Sequence, residues 1–164
     1  MTIAASMLPE FDHEMRVTRT LIEQVPDDRG GWQPHVKSMT MGRLAMHLPE
    51  LISLIPSILQ QPELDYLAAA APQAWTSNAA ALTTFDAVVA KARTLIAAEG
   101  DAAFMETWTF RAGAHIIASV PRVVALRSFV MNHVIHHRGQ LSVYLRLNDI
   151  KLPEIYGPNA DSTR

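Results

Sequence analysis

The chain has 164 residues, 49% hydrophobic and 18% charged, and its 14 Lys+Arg against 16 Asp+Glu leave a net charge of −2; this describes one globular domain, 1–164, long enough to bury roughly 70% of its unfolded surface. The near-neutral balance excludes a groove that tracks nucleic-acid phosphates, and no window approaches the ~18 apolar residues of a membrane span. With no cysteine and seven histidines, disulfides, thiolate zinc sites and cysteine nucleophiles are excluded, so any metal must be held by imidazole and oxygen.

The N-terminal run to Met15 has no basic segment followed by an apolar core, so the expected location is cytoplasmic. From Met7 to Val25, Leu8, Phe11, Met15, Leu21, Ile22 and Val25 recur at three and four, which predicts a first amphipathic helix. Pro26 to Gly31 breaks it, and Pro34 holds the next stretch out of a helix. Ser38 or Thr40 then caps a second helix with Leu44, His47, Leu48, Leu51, Ile55 and Ile58 on one stripe, interrupted at Pro49 and Pro56. Residues 62–76 read as a long crossover with a short helical turn. Ser77 or Asn78 opens a third helix that ends at Gly100, placed where a C′ glycine belongs. Residues 106–118 read as a short extended excursion or hairpin, and Pro121 opens a last helix to about Asn148. These elements predict an all-α chain, a four-helix bundle with a long crossover between helices two and three.

The last helix places His133 and His137 four residues apart, which brings both imidazoles to one face with Cβ atoms ~5–6 Å apart. Such a pair can grip a divalent cation. The glutamate of a helical zinc-protease motif is absent, because Val134 follows His133. His47 is the candidate third ligand, since it lies in the apolar stripe of the second helix and a histidine in a core stripe needs a partner. Leu126, Val130, Leu141 and Tyr144 share the sector of the histidine pair, so the pair faces the interior. Tyr144, Gln140 and His136 are the candidates for the pocket or for support of the ligands. Asp12, His13 and Glu14 fan apart on the first helix and read as a solvated face. Trp32, Trp75 and Trp108 fall in expected loops and are candidates to roof a pocket.

The run Asn132-His-Val-Ile-His-His-Arg-Gly-Gln-Leu-Ser-Val-Tyr-Leu-Arg-Leu147, followed by Leu152-Pro-Glu-Ile-Tyr-Gly-Pro-Asn-Ala-Asp161, closely resembles the DinB/YfiT-like family of bacterial metalloproteins, which is distinct from the DNA polymerase that shares the name. Pro34-His-Val-Lys-Ser-Met-Thr-Met-Gly-Arg-Leu-Ala-Met-His47 is similar to that family's entry into its second helix. The chain departs from the family pattern at Pro49, where the helix usually continues, and at Asn159, in place of the usual serine.

The resemblance implies a divalent metal (Zn, Ni or Fe) on His47, His133 and His137, a homodimer, and a small-molecule substrate. Characterised relatives are S-transferases or isomerases that depend on bacillithiol, mycothiol or glutathione, so a low-molecular-weight thiol is the implied co-substrate. Three neutral imidazoles leave the charge of a divalent cation uncompensated and coordination positions open, a catalytic pattern more than a structural one. The favoured expectation is activation of that thiol for S-transfer or isomerisation. The alternatives are a metal-dependent hydrolase that uses bound hydroxide and a non-catalytic, stress-associated metal-binding dimer.

Overall fold

The computed structural model describes residues 1–162; the last two residues of the expected domain lie outside the described residues. Helix α1 (Ile3–Ile22) starts four residues earlier than the apolar period suggests, because Thr2 caps it: its Oγ1 accepts from the Ala5 amide at 3.2 Å. Thr40 does the same for α2 (Met41–Ile52), accepting from the Arg43 amide at 3.2 Å. The expected interruption at Pro49 does not occur, and α2 runs through it. The break comes at Ser53–Leu54 instead, before α3 (Ile55–Gln60). Pro56 explains the position: its ring would clash with the carbonyl four residues back, which is that of Ile52.

Strand β1 (Glu63–Asp65) and a 3₁₀ turn over Tyr66–Ala68 follow, then an extended strap to Ser77, the N-cap of α4 (Asn78–Ala98). Gly100 is not a left-handed C′ residue; with φ −88° it caps a short α5 (Asp101–Phe104). Strands β2 (Thr107–Ala112) and β3 (His115–Pro121) form a hairpin whose turn is set by Gly113 at φ 60°, and the following Ala114 is not left-handed, the pattern of a II′ turn. A last helical run comprises α6 (Arg122–Ala125), a π-helical turn (Leu126–Met131) and α7 (Asn132–Leu147).

The expected all-α class is overturned by the sheet. β1 pairs parallel with β2, and β2 antiparallel with β3, in the order β1-β2-β3, so the chain is α+β. What looked like a minor excursion recruits three residues from the connection. Arg111 on β2 fixes them, donating from Nε to Glu63 Oε1 at 3.0 Å and from Nη1 to Asp65 Oδ2 at 2.7 Å. Asp65 also accepts from the Gly113 amide at 3.0 Å, and that bond chiefly holds its carboxyl below the ordinary carboxylate value.

Helix α1 packs on α4 and α7, and α2 packs on the same two, so the four longer helices enclose a common core that includes Phe11, Leu21, Leu44, Leu48, Phe85, Val130 and Leu141. The sheet closes one end of this core through Trp108. None of the helices among the described residues is long and apolar enough to cross a membrane.

Candidate metal centre

Two helices bring the three histidines together. His47 stands on α2 between the buried Leu44, Leu48 and Leu51. His133 and His137 rise from α7 one turn apart. One ligand atom from each ring lies within 4.8 Å of the other two. The rings meet edge to face, with centroids 4.6 Å apart for His47 and His137 and 5.5 Å for His47 and His133.

The π-helical turn immediately precedes this face. The Asn132 amide bonds to the Arg127 carbonyl, five residues back instead of four. Just beyond it stands His133, one turn after Phe129. His137 Nδ1 lies 2.7 Å from Gln140 Oε1, and a carbonyl oxygen can only accept, so the proton sits on Nδ1. His47 Nδ1 is likewise 3.1 Å from the Glu50 carboxylate and must donate to it. The rings of His47 and His137 thus turn an N–H outward. The Nε2 of His137 is left with its lone pair and lies 2.9 Å from the Nε2 of His133. That arrangement can take a cation.

Electrostatics favour the same protonation states. Burial, reinforced by the charge His47 would carry, lowers the His133 pKa from its ordinary value, and burial lowers that of His137 to about 4. Both imidazoles are neutral at pH 7, the form that ligates metal.

Glu50 was not evident in the sequence as a site residue, although it follows His47 by three on the same helix face. Its Oε2 accepts from Arg43 Nη2 at 2.8 Å as well as from His47, and its Oε1 accepts from the Gln73 amide of the strap at 3.0 Å. One carboxylate therefore fixes a ring and the connection that passes over it, the role outer carboxylates play at histidine metal sites. Gln140 and His136 stand beside the cluster: Gln140 Nε2 donates to His136 Nε2 at 3.1 Å, and His136 is exposed. Tyr144 is buried, but it packs edge-on against Trp32 with centroids 5.5 Å apart and does not join the histidines.

His47 and His133 form one end of a cavity of about 420 Å³. Most of the remaining wall is apolar, from Leu54 beyond α2, Leu64 on β1, Val88 on α4, Trp108 and Phe110 on β2 and Phe129 in the π-helical turn, with Arg43, Glu50 and Thr84 among the polar side chains that also line it. Residues 69–73 of the strap cross over it. Trp75 does not roof the cavity. It anchors the strap in a notch made by Gly30 and Gly42, where a Cβ on either glycine would overlap its ring.

The Asp12–Glu14 stretch departs from its expected solvated reading. Asp12 pairs with Arg93 at the surface, but Glu14 is 6% exposed and meets the 1% exposed Arg138 at 2.6 Å. Arg138 also donates to the Glu14 carbonyl at 3.2 Å and to the Tyr156 hydroxyl.

Comparison with known proteins agrees with this architecture. A crystal structure of a DinB-like protein from Bacillus cereus superposes with a TM-score of 0.71 at 20% identity, covering 94% of this chain and 98% of its own. The DinB-like YjoA from Bacillus subtilis gives 0.69 at 20% identity, with 92% and 96% covered. In sequence, the uncharacterised YrdA of Bacillus subtilis is 27% identical over 155 residues, covering 92% of this chain and 86% of the relative. The model of the DinB family matches residues 1–163, from the first helix through the histidine face to the C-terminal segment, and the chain belongs to the DinB family.

Proposed function

We propose that this protein is a metal-dependent enzyme that activates a low-molecular-weight thiol for S-transfer or isomerisation. The observation that carries the reading is the convergence of three imidazoles, with His47 and His137 each turning an N–H outward, at the end of a mostly apolar cavity. His47, His133 and His137 would hold a divalent ion with coordination positions left open toward the cavity. When bound, the ion supplies the positive charge that makes a thiol readily lose its proton.

The chain contributes no thiol of its own, since it lacks cysteine. In S-transfer the S–H bond breaks, an S–C bond forms at the electrophile, and the leaving group departs with its electron pair. The proton passes to bulk water, because the acceptors of Glu50 are already engaged by His47, Arg43 and Gln73. Glu50 and Gln140 keep the ligand rings oriented, and the apolar walls exclude water from competing at the electrophile.

This reading includes a homodimer, supported by Val143 and Leu147, which are 55% and 59% exposed on the outer side of α7. Sedimentation of the purified chain tests it.

The activity is tested by stripping metal, reloading with zinc, nickel or ferrous iron in turn, and supplying bacillithiol, mycothiol or glutathione with an electrophile panel. Turnover that needs both metal and thiol supports the proposal. Rates that never exceed those of His133→Ala defeat it. Turnover without thiol, rising with pH, marks a hydrolase instead.

A further inference from the structure

The walls of the cavity at the histidine centre are mostly apolar. His47, His133, Glu50 and Arg43 offer hydrogen-bonding groups, Ser53, Thr84 and Gln73 add isolated polar side chains, and the rest is built from rings, aliphatic side chains and the alanines of the strap. The ring walls are ordered against one another. Trp108 stacks on Phe110 with centroids 5.8 Å apart and planes 10° apart, and Phe129 meets Phe110 at 5.3 Å in a T-shaped contact. Trp108 is fully buried, so this wall is held by the core instead of folding over a surface. An apolar cavity of roughly 150 Å³ accepts benzene, and 420 Å³ gives room for two fused rings, or for one ring and the sulfur-bearing end of a thiol.

We propose that the electrophile handled at this centre carries its reactive atom on an apolar body of one or two rings, which lodges between the Trp108–Phe110–Phe129 wall and the 69–73 strap while the reactive atom faces the histidines. The proposal rests on the thiol-transfer reading above and adds the substrate class to it. A small polar electrophile would leave the walls hydrated and gain nothing from them, whereas burial of one ring is worth one to two orders of magnitude in rate when it is realised in the transition state.

Two electrophiles with the same reacting group test this: benzyl chloride and chloroacetamide, each attacked at a CH2–Cl carbon by the thiol, with chloride leaving. The zinc-loaded protein with each thiol should prefer benzyl chloride by about 10–100-fold in kcat/KM after division by the uncatalysed rates. Independently of turnover, naphthalene titrated into the same protein should shift the Trp108 indole N–H resonance saturably, assigned with Trp108→Phe. Filling the cavity from α4 by Val88→Trp, with Thr84→Phe as a second variant, should abolish the shift while zinc uptake by equilibrium dialysis is retained. Equal normalised rates for the two electrophiles, or a Trp108 resonance unmoved by naphthalene, would overturn the assignment of substrate class and leave the thiol reading intact. Saturable naphthalene binding without turnover of any electrophile would support the apolar site and defeat the thiol reading.

Discussion

His137 and Arg138 are neighbours on α7 and both are buried, yet they serve two different polar clusters. Arg138 enters a closed one: Glu14 balances its charge, and the Glu14 carbonyl, Thr18 Oγ1 and the Tyr156 hydroxyl accept from its Nη1 and Nη2. His137 enters an open one, in which the ring nitrogens of three histidines converge within 4.8 Å of one another. A buried polar group left unanswered costs stability unless something else occupies the gap. The closed cluster holds α1, α7 and the C-terminal segment together. The open cluster is the one suited to take in a ligand.

Removing one partner from each cluster should give the sharpest contrast. Glu14→Ala strands a guanidinium in the core and should cost about 3–5 kcal/mol in urea unfolding. His137→Ala should cost the metal-free protein far less and abolish metal uptake. If both variants lost equal stability, the division into closed and open clusters would fail. Metal should then separate them in the other direction. At a free concentration near 100 Kd it should stabilise the wild type by about 2.7 kcal/mol. The Glu14→Leu/Arg138→Met double variant, which should itself fold, should keep that gain, whereas His133→Ala should lose it.

Glu50→Gln tests the link between the carboxylate and the ligand ring, with an expected 10–100-fold loss of metal affinity by competition with a chelator and little change in the unfolding midpoint without metal.

Acid gives the smallest and most diagnostic effect. The folded His137 titrates near 4 and the folded His133 below its ordinary 6.5, so between pH 6.5 and 4 the unfolded chain binds protons that the folded one refuses. The metal-free protein should therefore be fully stable above pH 6.5 and lose stability as pH falls toward 4, and His137→Ala should flatten that slope. Asp65 and Asp161, held below their ordinary 3.8, enter only at lower pH.

What could be read from the sequence follows from the range of the interactions. His133 and His137 were visible because the helical period puts residues four apart on one face, and His47 because an imidazole in a leucine stripe needs a partner. Glu50 carries the same kind of signal at three residues' spacing, but a lone carboxylate on a helix resembles any solvated charge. Glu14 was misread for the opposite reason: flanked by Asp12 and His13 it looked like a charged face, while its partner stands 124 residues later in the chain. The hairpin of β2 and β3 was legible over 106–118, but the third strand of the sheet was illegible in the same way as Glu14. β1 is three residues long and has no period to detect, and it exists because Arg111 and the hairpin hold it. Both Pro49 and Pro56 looked like interruptions, and only the second acts as one.

The π-helical turn has a consequence for chain length. One residue of helix corresponds to about 100° of rotation, so the widened turn at Leu126–Met131 works as a phase shifter placed ahead of the histidines. Because the widened turn takes up one extra residue, straightening it over the same residues would rotate α7 by about 100° against the rest of the core, whereas straightening it with one residue removed would keep the setting. With the residue retained, the three imidazoles would part and Glu14 would lose Arg138 in the same step, so the ligand face and the structural ion pair share one angular setting and must be gained or lost together.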